Sequence, residues 1–157
     1  MSQLLDDMHV DETLIIRHLH ASSDQDALEQ MASMLQKEGI VKESYIPAVK
    51  AREVEYSTGL QCEDMGVAIP HTDAEHVNVQ AIGIGVLDEP VQFAQMGTPE
   101  IKVDVKIIFM LAIKEPHKQM EFLQALMSVF AEQGKLPKLL NLDSNKAVLD
   151  TFVAFFA

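Results

Sequence analysis

Two hydrophobic periods take turns along this chain, and each change of period marks a new element. Thr13 to Leu19 (TLIIRHL) is dense in β-branched and apolar residues and predicts a first strand. Ser22, Ser23 and Asp24 then supply N-cap candidates, and Leu28, Met31, Met34 and Leu35 recur at helical spacing until Gly39. A second helix is expected from about Ser44 to Tyr56, with Pro47 tolerable only in its first turn, and Ser57-Thr58-Gly59 closes it. Strand pattern returns at Val67 to Ile69 and at Val79 to Leu87. Within the latter, Gly83 and Gly85 share a face and would let another backbone or a helix approach closely. Glu89-Pro90 reads as a turn, Val91-Gln92-Phe93 as a short return strand, and Met96-Gly97-Thr98-Pro99 as a loop. Val103 to Ile113 is the most apolar run and predicts a central buried strand.

The last third is helical. Met120, Leu123, Leu126, Met127 and Phe130 form one apolar stripe, and Gly134 ends that helix. Leu136 to Leu142 predicts a short helix, and Asp143 or Ser144 caps a final one reaching Phe156. Strands and helices mixed on this scale predict an α/β fold, a three-layer α/β/α sandwich around a sheet of four or five strands. With no linker or repeat in view, 1–157 is expected to be one domain.

Composition narrows the classes. Hydrophobic residues make up 48% of the 157, which excludes a disordered chain. No apolar run reaches the roughly 20 residues of a membrane span. Met1 to Val10 lacks the basic start and apolar centre of a secretory signal, so a cytoplasmic protein is expected. A formal net charge of -12 argues against nucleic acid and anionic membrane as partners. The single cysteine, Cys62, forms no internal disulfide and reads as a small loop side chain.

Candidate chemistry centres on Gly66-Val67-Ala68-Ile69-Pro70-His71-Thr72-Asp73. The apolar run stops at a proline that cannot extend a ladder, and a histidine follows at once. An imidazole at the tip of a core strand has its orientation settled before a substrate arrives. From spacing alone, a histidine just past a strand is more often an ordinary surface turn residue. Arg52, reaching toward Thr58-Gly59, offers a planar fork for phosphate oxygens, or else a surface ion pair with Glu53 or Glu55. His117 opens a helix, where the dipole disfavours its protonation while one N–H can still be donated; the alternative is a surface histidine without a role. Thr58-Gly59-Leu60 allows a close backbone approach or simply stops a helix. The Thr72 hydroxyl can donate to a ligand or cap its own turn. His71, Asp73, Glu75, His76 and His117 are also metal-ligand types. Yet there is no H-E-x-x-H or cysteine pair, and Pro70 suits a turn, so no metal is expected.

The string GVAIPH, with Arg52 upstream and His117 downstream, resembles the active-site signature of the type-2 enzyme IIA domains of the bacterial phosphoenolpyruvate-dependent sugar phosphotransferase system (PTS). The similarity spans roughly Leu14 to Phe152 and looks most like the galactitol branch. It implies a mixed sheet, with His71 as phosphoryl acceptor, His117 as phosphoryl stabiliser, and Arg52, Thr58 and Thr72 as phosphate-binding residues. It further implies HPr as donor, a cysteine of the cognate enzyme IIB as acceptor, the membrane component enzyme IIC as an indirect partner, and no cofactor. An apolar rim around His71 would dock both partners. Thr72 departs from fructose and mannitol relatives, many of which carry a small residue there. A regulatory phosphoprotein that signals without feeding a transporter would show the same residues.

Overall fold

The computed structural model describes residues 3–156. Met1, Ser2 and Ala157, part of the expected 1–157 span, lie outside the described residues. In order, the elements are α1 (Gln3–Asp6), β1 (Ile15–Leu19), α2 (Asp24–Lys37), α3 (Tyr45–Glu55), β2 (Gly59–Gln61), β3 (Gly66–Ala68), β4 (Ala81–Gln95), β5 (Thr98–Ala112), α4 (Pro116–Phe130) and α5 (Asn145–Ala154), with short 3-10 turns between some of them. The five strands make one mixed sheet. β1 runs parallel to β4, β4 antiparallel to β5, β3 parallel to β5, and β2 antiparallel to β3. Gly59 of β2 also bridges Gln95 at the far end of β4.

Helices cover both faces of the sheet, as the period changes require. Along β5, Ile108 and Met110 join the core under α2 and α3, while Ile107, Phe109 and Leu111 join the core under α4 and α5. A strand buried on both faces reads as an unbroken apolar run, which is why Val103 to Ile113 stood out. On the α2 side, a Cβ at Gly85 would lie 2.6 Å from the Met31 sulfur, so the glycine lets the Met31 side chain of that helix pack directly on the strand. On the other side Phe109 packs against Phe130 and Phe152, with centroids 5.0 and 5.8 Å away.

Several expected boundaries move. Thr13 and Leu14 belong to a 3-10 turn capped by the Asp11 carboxylate, and β1 begins at Ile15. Val79 is exposed and precedes β4. Glu89-Pro90 is not a turn: β4 runs through it as a bulge, because Val86 pairs with Ile107 but Val91 with Val105. Three extra residues are accommodated there, and a bulge tolerates the missing Pro90 N–H. The true turn is only Met96-Gly97, with Gly97 at φ +80°, so Thr98 and Pro99 are already strand. Gly59 and Leu60, expected as a close backbone approach or a helix stop, belong to strand β2. The α4 stripe also rotates: Phe122, Leu126, Val129 and Phe130 are buried, while Met120 and Met127 are exposed, since the aromatic rings claim the inner face. Leu136–Leu139 is a single 3-10 turn, shorter than the helix expected to Leu142. Ser23 and Ser144 do cap α2 and α5 through their hydroxyls.

Candidate functional site

β3 ends at Ala68, and the chain past it is tied on both sides. The Ile69 N–H donates to the Thr58 carbonyl at 3.3 Å, and the Leu111 N–H of β5 donates to the Pro70 carbonyl at 3.0 Å. The Leu111 carbonyl in turn accepts the hydroxyl of Tyr45, a fully buried residue at the start of α3, at 2.7 Å. Pairing thus continues past the formal end of the strand, and His71 leaves a backbone with little freedom to shift.

The His71 ring is half-buried, with Nδ1 2.9 Å from the Ile69 carbonyl oxygen. A carbonyl only accepts, so Nδ1 carries the proton and Nε2 keeps its lone pair. Burial holds the ring's proton affinity below the usual histidine range. The Ile69 bond pulls it back up, the Arg52 charge lowers it, and Asp73 raises it. The imidazole is therefore neutral near pH 7, with an unprotonated Nε2 available for chemistry.

Arg52 comes off the last turn of α3. Its Nη1 lies 3.6 Å from an Asp73 carboxylate oxygen, and its guanidinium sits 5.0 Å over the Tyr56 ring. Its ion-pair partner is Asp73, not Glu53 or Glu55. Glu53 instead points inward on the face shared with Tyr45 and Val49. Thr72 is buried beside His71, and its hydroxyl makes no hydrogen bond among the described residues. The Thr58 hydroxyl is already donated to Glu53 at 2.7 Å.

His117 behaves differently. It occupies the second position of α4, is largely exposed, and its Nε2 faces Glu115 at 3.4 Å. No hydrogen bond or ion pair joins it to His71 among the described residues. So the fold brings His71, Arg52, Asp73 and Thr72 together, sets Thr58 just behind them, and leaves His117 turned to its own helix cap. His76 is held by Ser44 at 2.8 Å, and no three His, Cys, Asp or Glu side chains converge as a metal site among the described residues. Burial pushes the Cys62 thiol up, with Asp64 adding to the rise, which disfavours a thiolate. No helix among the described residues is long and apolar enough to cross a membrane. The sequence pattern names Glu53 only as a surface ion-pair partner for Arg52, although Tyr45, Val49 and Glu53 at i, i+4 and i+8 place it on the buried face.

Comparison with known proteins identifies the family of the chain. The galactitol-specific EIIA component of the PTS of Escherichia coli K12 is 26% identical over 117 residues, covering 74% of this chain and 77% of that protein. The mannitol-specific phosphotransferase enzyme IIA component of Staphylococcus aureus is 28% identical over 139 residues, covering 88% and 90%. The transcriptional regulator ManR of Bacillus subtilis is 29% identical over 119 residues, which are 75% of this chain but 17% of the regulator. The fold matches the structure of enzyme IIAMTL in complex with phosphorylated enzyme IIBMTL from E. coli, with a TM-score of 0.74 at 17% identity, covering 94% of this chain and 99% of that one. Residues 8–154 match the sequence profile described as phosphoenolpyruvate-dependent sugar phosphotransferase system, EIIA 2. The chain belongs to that family of phosphoryl-relay components, the type-2 enzyme IIA domains.

Proposed function

We propose that His71 carries the phosphoryl group, taking it from phospho-HPr and passing it to a cysteine of a cognate enzyme IIB. The observation that supports this most is the Nδ1–H bond to Ile69, which leaves Nε2 free on a neutral ring beside a guanidinium. In the first transfer the phosphorus–nitrogen bond of the donor breaks as the bond to Nε2 forms, and Nδ1 keeps its proton on the Ile69 carbonyl. In the second, a cysteine thiolate attacks phosphorus and Nε2 leaves. Both transfers pass through loose transition states with charge on three equatorial oxygens, so positioned donors supply most of the help. Arg52 supplies the fork, and Thr72 supplies a hydroxyl with no other partner among the described residues. Thr58 supports the strand tip from behind. His117 swings from Glu115 to the phosphoryl oxygens once they are present.

The exposed apolar residues Val54 and Tyr56 follow Arg52, and Met120 lies three residues, about one turn, after His117. They form the docking rim for both partners, whose complexes must be weak enough to release. Galactitol or a related sugar alcohol is the favoured substrate of the system, on the strength of the E. coli relative. The match to ManR supports a second reading, a regulatory phosphodomain without a transporter. Incubation with phosphoenolpyruvate, enzyme I and HPr, then with galactitol-type enzyme IIB, separates the two. The relay places acid-labile phosphate on His71 and loses it to IIB; a regulator keeps it. Label on another residue overturns the assignment.

A further inference from the structure

Glu53 plays no part in the chemistry above, yet its carboxylate is buried, with the residue 5% exposed. Both of its oxygens are bound by one residue. Thr58 donates its N–H to Oε2 and its hydroxyl to Oε1, each at 2.7 Å. The Thr58 carbonyl accepts the Ile69 N–H at 3.3 Å, and the Ile69 carbonyl accepts the His71 Nδ1–H at 2.9 Å. A path of hydrogen bonds through the backbones of Thr58 and Ile69 thus runs from Glu53 to the ring. Burial pushes the Glu53 carboxyl up to about 7, against the pull of the Thr58 donors, and Asp24 of α2 is the charge that adds to the rise from outside α3. An apolar side chain here would avoid burying a polar carboxyl group, so the glutamate is costly to keep for packing alone.

We propose, building on the His71 assignment, that Glu53 is a positioning residue. It locks Thr58, and through it the Ile69 peptide, so that the Ile69 carbonyl holds the imidazole with Nε2 toward the incoming phosphoryl group. Because Glu53 directly follows Arg52, the same anchor fixes the helix turn from which the guanidinium projects.

Three variants test this. In Glu53→Gln the amide oxygen accepts the Thr58 N–H while its NH2 donates to the hydroxyl, which rotates to accept, so both links survive without charge. Glu53→Ala loses both links, and Thr58→Val loses only the hydroxyl link. Two readouts are taken: ring 15N shifts of His71 in the unphosphorylated protein, and the single-turnover rate of phosphorylation at saturating phospho-HPr. Glu53→Gln should keep the single Nδ1–H tautomer and a rate within about twofold. Glu53→Ala should show mixed tautomers and a rate about tenfold lower or worse, with the donor concentration for half-saturation unchanged. If Glu53→Ala does not fold, Thr58→Val carries the test, with the same changes at smaller size. Wild-type shifts and rate in the folded variant overturn the proposal, and so does a loss in Glu53→Gln as large as that in Glu53→Ala. Phosphate mapped away from His71 in the wild type defeats the acceptor assignment instead, and the ring shifts still decide whether Glu53 orients His71.

Discussion

The two histidines of the site are held in opposite ways. His71 sits on a strand tip whose peptides are bonded to β2 and β5, and its ring is pinned by the Ile69 carbonyl. His117 sits at the mouth of α4 with its ring in solvent beside Glu115. A nucleophile gains from being oriented before the reaction, because misalignment enters the barrier of every turnover. A group that only neutralises charge can wait until that charge arrives. The contrast fits our proposal, in which the fixed ring is the acceptor and the free one assists.

Removing the fixed ring should have the largest effect. His71→Ala should accept no acid-labile phosphate from phospho-HPr, and label persisting elsewhere would break the contrast at its root. Arg52→Ala should follow, slowing single-turnover phosphorylation by about 100-fold, the usual cost of deleting one donor aimed at developing charge. A loss confined to partner affinity would move Arg52 from the chemistry to the docking rim. His117→Ala should accept phosphate at near the normal rate but pass it to enzyme IIB about tenfold more slowly, in line with one hydrogen bond to a charged group. Unchanged onward transfer would remove His117 from the mechanism.

Two smaller effects depend on pH. Since His71's proton affinity is lowered, chiefly by burial, acceptance of phosphate should stay flat as pH falls through 6.5 and decline only below it. A midpoint at or above 6.5 would contradict a neutral, buried nucleophile. Glu53 has the reverse sign for stability. Its folded-state proton affinity lies at about 7, above the ordinary 4.5, so the folded protein holds a proton that the unfolded chain releases. Its stabilising contribution is full below pH 4.5 and is lost as pH rises through 7, by about 3 kcal/mol in all. Urea unfolding of wild type relative to Glu53→Gln should follow that trend; a constant difference would mean the carboxyl is not buried as described.

Much of this was legible in the residues, and the failures have identifiable causes. The Gly66–Asp73 stretch showed a strand stopped by proline with a histidine beyond, because Pro70 acts locally whatever surrounds it. The caps Ser23 and Ser144 were legible for the same reason. Glu89-Pro90 misled because a turn signal and a bulge share one local chemistry, and only pairing with β5 decides between them. The α4 stripe was misplaced because Met120 and Met127 fit helical spacing as well as Phe122 and Val129 do. The aromatic partners that choose between the two faces, Phe109 and Phe156, come from other elements. Arg52 was found through its type and place, but its partner Asp73 comes from a distant loop. Glu53 reads as a surface ion-pair partner because a glutamate at a helix end is usually solvated, although the helical period places it on the buried face.

The most direct measurement is NMR of the phosphorylated protein with 15N-labelled histidine. A phosphorus–nitrogen coupling on Nε2 of His71, with Nδ1 still protonated, is the predicted result. Phosphorus bonded to Nδ1, or to any other residue, would contradict the account.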